Sequence, residues 1–359
     1  MSEQLGLSVD PPAPVLELRD RLGAEWPWIM ASREKSAAMM ERLRAELRAL
    51  IPPETSMVVY GSLARHELTD RSDIDWTLLV DGIAHPEHQD RADRIRARLT
   101  GMGLRQPAPG GPFGNLTFSH DLIHRIGGDD DTNRNTTQRL LLLLESAPIG
   151  HAAAYERVVQ NVLQRYVGED IVSPGDSAYR VPRFLQNDVV RYWRTMAVDF
   201  AHKRRMRGPE GWALRNAKLR LSRKLMYAAG LMSCFYCDAL FHARARTHPL
   251  REAQQVEDYL AGLVRTKPLD IVAGVMLDYF GVLSGAAERL FGAYDEFLGL
   301  LHDESRREHL KKLRPDAADE DAEYQRVRDM GTRFQDALTE IFFTCDTPLR
   351  DLTIRYGVF

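Results

Sequence analysis

Two aspartates separated by a single residue, Asp73 and Asp75, have the type and spacing best suited to chemistry in this chain. They open an apolar run that predicts a strand over Ile74–Val80, and alternation along a strand would turn both carboxylates to one face and Ile74 to the core. Two carboxylates held this close repel each other, and a cation between them relieves the repulsion. Carboxylate oxygens suit Mg²⁺, which proteins usually bind through one or two carboxylates together with the phosphates of a substrate. The pair therefore predicts a magnesium site that Mn²⁺ would also fit.

A glycine and a serine, Gly61 and Ser62, follow the preceding predicted strand, Ser56–Tyr60, and ten residues separate them from Asp73. Glycine lets the backbone approach a phosphate closely, because it has no side chain in the way. Ser62 adds a hydroxyl and an amide donor at a predicted helix start, where anions bind favourably. The two segments together predict a phosphate cradle beside a metal site.

The segment Val58–Leu79 as a whole resembles the signature of the DNA polymerase beta-type nucleotidyltransferase superfamily. That signature is a Gly-Ser pair, a spacer, and an Asp-x-Asp on a strand. The spacer here, with Arg65, Glu67 and Ser72, is similar to the form usual in the smaller members. The resemblance covers a small part of the 359 residues, but both predicted strands fall where the signature requires them.

The resemblance implies an enzyme that moves a nucleoside monophosphate from a nucleoside triphosphate, such as ATP, to an acceptor hydroxyl with release of pyrophosphate. Asp73 and Asp75 would hold the metal ions. Gly61, Ser62 and Arg65 would contact the nucleotide. Catalysis would consist mostly of positioning and charge neutralisation.

The superfamily normally carries a third carboxylate on a neighbouring strand, and Asp121 is the best candidate for it. It falls in a predicted third strand, Leu116–Ile126, where it would complete a two-metal site and help to activate the acceptor hydroxyl. Asp131 is the alternative. Its position after two glycines is more typical of a turn and a helix N-cap, with either Asp131 or Thr132 as the capping residue.

A local excess of positive charge lies in the second half of the chain. Between Arg183 and Lys224 there are twelve Lys or Arg residues and three acids, although the net charge of the chain is −3. A helix through this segment would place Lys218 and Ser222 one turn apart on the same face. Helical domains in the superfamily often supply a lysine and a serine or arginine to the triphosphate. The alternative is a solvated basic helix that packs through its leucines.

The elements that position these residues predict an α+β fold. Residues 1–54 are expected to form a tail and a helical leader, and residues 55–132 a small mixed-sheet nucleotidyltransferase domain. Residues 133–359 show helical patterns with almost no strand signal, which predicts a larger all-helical domain.

Composition narrows the class of protein further. Hydrophobic residues make up 44% and charged residues 28%, which is typical of a globular protein, and no apolar run is long enough for a membrane span. Three cysteines cannot all pair, which favours a reducing compartment, so we expect a cytoplasmic protein with no membrane partner. Cys234 and Cys237 lie in an apolar run and are expected to pack in the core.

The acceptor stays open between a protein, a small molecule, a nucleotide and an RNA end. The order of a compact domain followed by helices is similar to that of bacterial protein-modifying uridylyltransferases, but their downstream phosphohydrolase motif and regulatory repeats are not recognisable here. Synthases of cyclic or linear oligonucleotide signals in the same superfamily are one alternative. A catalytically silent nucleotide-binding module is another.

Overall fold

The sheet is the smaller part of the fold. The structure is a computed structural model that describes residues 13–107, 111–168, 181–207, 210–239, 250 and 252–357. These residues form one four-stranded sheet of order β3-β2-β1-β4. Its strands are β1 (Thr55–Tyr60), β2 (Asp75–Val80), β3 (Asn115–Phe118) and β4 (Ser146–Ile149). Strand β1 pairs antiparallel with β2 and β4, and β3 pairs parallel with β2, so the sheet is mixed as expected.

Helices make up most of the described chain, which confirms an α+β fold dominated by helices. Those of the first half are α1 (Pro14–Leu22), α2 (Pro27–Leu47), α3 (Gly61–Ala64), α4 (Pro86–Gly101), α5 (Ser119–Ile123), α6 (Asn133–Leu144) and α7 (Ala153–Gly168). Those of the second half are α8 (Arg183–Arg207), α9 (Trp212–Lys218), α10 (Lys224–Ala239), α11 (Ala253–Arg265), α12 (Pro268–Asp278), α13 (Phe280–His302), α14 (Glu304–Lys312), α15 (Ala322–Thr339) and α16 (Pro348–Leu352). Short 3₁₀ turns occupy Arg48–Leu50 and Pro315–Ala317, and π turns occupy Leu219–Arg223, Glu340–Thr344 and Thr353–Gly357.

The first two predicted strands are confirmed to within a residue. Both are buried along almost their whole length because helices cover both faces of the sheet. Val58 and Leu79 belong to a large core that they share with α6 and α7. Val59 and Leu78 turn the other way, into a smaller core with α2 and α4.

The third predicted strand is wrong in its second half. Strand β3 ends at Phe118, and α5 begins at the next residue. The apolar residues Leu122, Ile123 and Ile126 recur at helical rather than alternating spacing, and all three are buried. Asp121 therefore lies on a helix and not on a strand.

The prediction of an all-helical region after residue 133 is wrong at β4, which forms an edge of the sheet beside β1. Helix α6 ends at Leu144, and Glu145 leaves it with an extended φ of −148°. The strand has only four residues and contains Pro148, which an edge strand tolerates because its outer side needs no N–H donor. So short a strand directly after a leucine-rich helix leaves no alternating pattern in the sequence.

The helical leader packs on α13 as well as on the sheet. The ring of Trp26 stacks on Phe291 of α13, with 4.7 Å between the ring centroids. The carboxylate of Asp295 accepts the N–H groups of Trp28 and Ile29 at 2.9 and 2.8 Å, at the start of α2. The leader therefore shares its core with helices that follow it by more than two hundred residues.

The two cysteines of the apolar run, Cys234 and Cys237, are buried in α10, which confirms their expected place in the core. Among the described residues, no helix is both long enough and apolar enough to cross a membrane.

Candidate active site

The end of β1 meets the start of β2 at a glycine that contacts a carboxylate. Tyr60 pairs with Asp75, and Gly61 follows directly with a φ of +67°. A Cβ atom at Gly61 would lie 3.1 Å from Oδ2 of Asp75. Any other residue here would adopt a strained left-handed conformation and would also crowd the carboxylate. Glycine therefore keeps one side of Asp75 open.

Asp73 and Asp75 flank a buried residue, as the alternation predicts. Ile74 is buried, and its N–H donates to the carbonyl of Arg105 at 3.0 Å. Asp73 is exposed and Asp75 is partly buried. Burial, together with the charges of Glu145 and Asp73, raises the pKa of Asp75 to about 6, although the charges of Arg223 and Lys218 oppose the shift. A cation beside Asp75 would reverse this shift, because it favours the charged carboxylate.

The aspartate pair alone is an incomplete set of metal ligands. No group of three or more His, Cys, Asp or Glu side chains suited to a metal ion occurs among the described residues. Two carboxylates are sufficient for an ion that completes its shell with phosphate oxygens and water. The side of Asp75 that Gly61 leaves open is where such a shared ion would fit.

Glu145 is a charged residue of the site that sequence reasoning missed. Tyr60 pairs with Ser146, the first residue of β4, so Glu145, which precedes the strand, lies opposite Gly61. The Glu145 side chain is buried, and its carboxylate accepts from the guanidinium groups of Arg65 and Arg223, the latter at 2.9 Å. The available signal was an acid directly after five leucines, but only the pairing of β4 with β1 brings it to the site.

Arg65 is paired with two buried carboxylates, and its contact to nucleotide stays a prediction. Its side chain is only 6% exposed and lies between the carboxylates of Glu67 and Glu145, with 2.8 Å to Glu67. Glu67 in turn accepts the hydroxyl of Tyr294 at 2.8 Å. Because both carboxylates occupy the guanidinium, Arg65 holds Glu145 in place. Ser62, the other polar residue of this turn, stays partly exposed.

Lys218 lies close enough to both aspartates for their charges to interact. Its charge lowers the pKa of Asp75, and the charge of Asp73 raises the pKa of Lys218. Burial, together with the charges of Arg307, Arg223 and Arg65, lowers the pKa of Lys218 to about 8, although the charge of Asp73 opposes the shift. Lys218 is therefore the one of these cations that can lose its charge near physiological pH.

Ser222 lies one turn after Lys218, as predicted, but its hydroxyl is committed to the helix. The side chain is buried and donates to the carbonyl oxygen of Lys218 at 3.2 Å. It is held against the backbone next to the site, and a contact to nucleotide stays a prediction.

Arg223 reaches the site because the helix is interrupted. Regular α spacing predicts that Arg223 lies on another face than Lys218. The segment Leu219–Arg223 is a π turn, in which hydrogen bonds join residues five apart. Residues 218 and 223 therefore come to the same side, and the prediction that separated them is wrong.

Arg307 of α14 is a further cation of the site and comes from far along the chain. It donates to the carbonyl of Arg71 at 2.9 Å and to the hydroxyl of Thr69 at 3.3 Å. Its charge interacts with Asp73. Arg307 therefore fixes the loop before β2, and nothing in the local sequence near the aspartates indicates it.

Asp121 is not the third carboxylate of this site. Strand β3 runs parallel to β2 with Phe118 beside Val80, at the end of β2 away from Asp75. Five residues of strand span roughly 16 Å, so α5 starts at the opposite end of the sheet. The Asp121 side chain is 45% exposed and pairs with Arg125 at 3.0 Å on its own helix.

Asp131 belongs to a buried network and is not a ligand either. Both of its oxygens accept from Arg139, at 2.8 and 2.7 Å, and Arg139 also contacts Asp188. The N-cap of α6 is Thr132, whose hydroxyl accepts the N–H of Asn135 at 3.3 Å. Of the two capping candidates, Thr132 is confirmed.

Comparison with known proteins finds no match to this chain. No protein-family model matches the chain, and a search of curated proteins finds no similar sequence. The fold and the site define a largely helical α+β protein in which a carboxylate pair at a sheet end faces charges supplied by a helical region.

Proposed function

We propose that the chain is a metal-dependent nucleotidyltransferase that moves a nucleoside monophosphate from a nucleoside triphosphate to an acceptor hydroxyl. The observation that carries the proposal is the open side of Asp75 beside Gly61, with Asp73 two residues away and Lys218 and Arg223 close by. A glycine at this position leaves room for a phosphate to approach the backbone closely.

The charges of the site suit a metal-bound triphosphate. Asp75 at the start of β2 and Asp73 in the loop before it supply two carboxylates, and the helical segments supply Lys218, Arg223 and Arg307. A triphosphate requires both, because its metal ions need anionic ligands and its remaining oxygens need cations. Preorganised charges of this kind act strongly where burial excludes water.

The residues of this chain would share the work of the reaction. Asp73 and Asp75 would hold Mg²⁺, which when bound neutralises phosphate charge and polarises the phosphoryl oxygens. Lys218 and Arg223 would hold the triphosphate for in-line attack. The acceptor hydroxyl would give up its proton to solvent water as its oxygen bonds to the α-phosphorus. The bond from the α-phosphorus to the oxygen that bridges to the β-phosphate would break, and its electron pair would leave with pyrophosphate. Glu145 would position Arg223 throughout.

The acceptor is expected in a groove of about 890 Å³ beside the loop that carries Asp73. Trp28, Asp70 and His302 are among the residues that line it. Asp70 precedes Asp73 by three residues, which can span no more than roughly 11 Å. The volume of the groove is in the range of pockets that bind small molecules. The two aspartates do not line the groove themselves.

A nucleotide-binding module without turnover is the second candidate, and one observation favours it. The third carboxylate near Asp75, Glu145, is paired with two arginines and is not available as a metal ligand. A site with two carboxylates binds metal and nucleotide, but such a site holds fewer metal ligands than a full two-metal centre.

The test is to supply each α-³²P-labelled nucleoside triphosphate with Mg²⁺ or Mn²⁺, with and without cell extract, and to follow the label and pyrophosphate. Labelled product without extract would indicate oligonucleotide synthesis, and product that requires extract would indicate a separate acceptor. Asp75→Asn should abolish turnover without unfolding the protein, whereas Asp121→Asn, at the other end of the sheet, should leave turnover near normal. Saturable nucleotide binding without pyrophosphate release under every condition would identify the silent module.

A further inference from the structure

A second cavity, of about 640 Å³, lies along the edge strand β4. Residues of α2, the loop after α3, β4 and the junction of α11 with α12 enclose it, and we call it the edge cavity. Its charged and imidazole groups are those of Arg44, Arg265, Lys267, His66, Glu34 and Glu41. The edge cavity shares no lining residue with the groove proposed for the acceptor, and none of the residues proposed to hold metal or nucleotide lines it.

Lys267 is a cation without a committed anion. Within the described residues its ammonium group makes no ion pair and no hydrogen bond. Asp270, the nearby acid, is occupied by the guanidinium of Arg33 at 3.0 Å and the N–H of Val15 at 3.3 Å. Burial lowers the pKa of Lys267; Asp270 raises it, and Arg33 and Arg44 lower it. A bound anion would relieve this unfavourable environment.

His66 also lines the edge cavity, and its backbone is strained. Its φ is +61°, a left-handed conformation that residues other than glycine rarely adopt. Burial lowers the pKa of His66 to about 3, and the cations Lys267, Arg33 and Arg44 add to the shift. The ring is therefore neutral at physiological pH and retains one N–H donor, which has no partner among the residues that the structure describes.

The arginines of the edge cavity are paired only at the surface. Arg44 pairs with Glu41, and Arg265 pairs with Glu156 at 3.1 Å, and all four side chains are well exposed. Exposed pairs of this kind contribute little to stability, so an incoming anion can replace the carboxylates at small cost.

We propose that the edge cavity binds an organic phosphate, with Lys267 and His66 as the donors to its phosphate oxygens. Arg44 and Arg265 would supply further charge. The cavity also has an apolar wall, formed by Met40, Ala147 and Pro148. That wall favours a phosphate with an organic body over a bare inorganic anion.

The ligand would lie next to the contact that organises the candidate active site. His66 follows Arg65 in the chain, and Ser146, which lines the edge cavity, follows Glu145. Arg65 and Glu145 form an ion pair on the other side of this backbone. A ligand that shifts His66 or Ser146 would therefore change the affinity for nucleotide, and nucleotide would change the affinity for the ligand by the same factor.

The test is to label the protein with ¹⁵N-histidine and to titrate it, without divalent metal, with pyrophosphate or with adenosine diphosphate. We expect saturable shifts of the His66 ring resonances, with adenosine diphosphate the tighter ligand because of the apolar wall. Lys267→Gln should weaken binding by about tenfold or more, as for loss of one charge-assisted contact. Lys312→Gln, on the exposed end of α14, should not.

Two further variants keep the outcome clear. Lys218→Ala removes a charge of the candidate active site and should leave the His66 titration in place. His66→Gly suits the backbone at this φ and should fold normally while it weakens binding, which calorimetry would measure. Unmoved His66 resonances at millimolar probe, or equal affinities for the natural protein and Lys267→Gln, would overturn the proposal. Because no turnover is measured, a protein that transfers no nucleotide can still pass this test.

Discussion

At the scale of single residues, Lys218 links nucleotide binding to pH. Its amine is charged below its lowered pKa of about 8 and neutral above it. Affinity for nucleotide should therefore fall as the pH rises through about 8, and bound phosphates should shift that fall upward because they favour the charged form. Lys218→Arg keeps its charge at every accessible pH and should flatten the profile. Calorimetric titrations of both proteins across this range would measure it, and parallel profiles would contradict it.

Arg223 and Arg220 form a matched pair on either side of the same turn. Arg223 pairs with Glu145 at the site, whereas Arg220 donates to Asn216 at 2.8 Å and packs against Gly331. Arg223→Ala should weaken nucleotide binding by roughly ten- to a hundredfold, the effect of a lost charge-assisted contact of about 1.5–3 kcal/mol. Arg220→Ala should change it little. Similar losses in both would mean a diffuse field and no specific contact.

At the scale of elements, the end of β1 depends on the absence of a side chain. Gly61→Ala should lower the free energy of unfolding by about 1–2 kcal/mol through its left-handed φ alone, and the new Cβ would also press on Asp75. Gly103→Ala is the control, since Gly103 has a φ of +73° and nothing within 4 Å of an added Cβ. Thermal unfolding should show a loss of stability in both variants, at least as large in Gly61→Ala as in Gly103→Ala, but only Gly61→Ala should lose Mg²⁺-dependent nucleotide binding. If both variants kept nucleotide binding, Gly61 would have no role in the site.

The elements that the sequence predicted correctly are those with a strong local signal. Strands β1 and β2 are apolar runs bounded by a proline pair and by glycines, and helix α2 has a long repeat. Strand β3 merges into α5 within one apolar stretch, so alternation and helical spacing compete there. Strand β4 has too few residues to show any period. Asp121 was misplaced for the first reason and Glu145 overlooked for the second.

At the scale of the whole molecule, the leader and the last helices are expected to unfold as one unit with the sheet. Asp295 of α13 caps the start of α2 by accepting two N–H groups. Asp295→Ala would leave both donors without this acceptor, at about 1–3 kcal/mol each, and should lower stability across the whole chain. Glu296→Ala is the control, because its pair with Arg333 is exposed. Denaturant unfolding should show one transition that shifts only for Asp295→Ala; a separate early transition of the leader would contradict it.

The long-range composition of the site explains why the sequence indicated only part of it. Gly61, Asp73 and Asp75 lie within one short motif, which local reasoning can find. Arg307 contacts residues more than two hundred positions earlier, and Glu145 depends on a strand pairing. Lys218 could be predicted from the sequence because the spacing that indicates it is local. Arg223 could not, because its position depends on a π turn.

That π turn makes the site sensitive to the length of its helix more than to its composition. Each residue of an α-helix advances about 100° around the axis. A turn widened by one residue therefore changes the direction in which every later side chain of the helix points. Deleting one residue from Leu219–Arg223 would restore regular winding and rotate Arg223 away from Glu145, while the buried face of α10 would lose its register with the core. An alignment of related chains that opens a gap in this segment would therefore mark proteins that have lost this arrangement, even where every charged residue is retained.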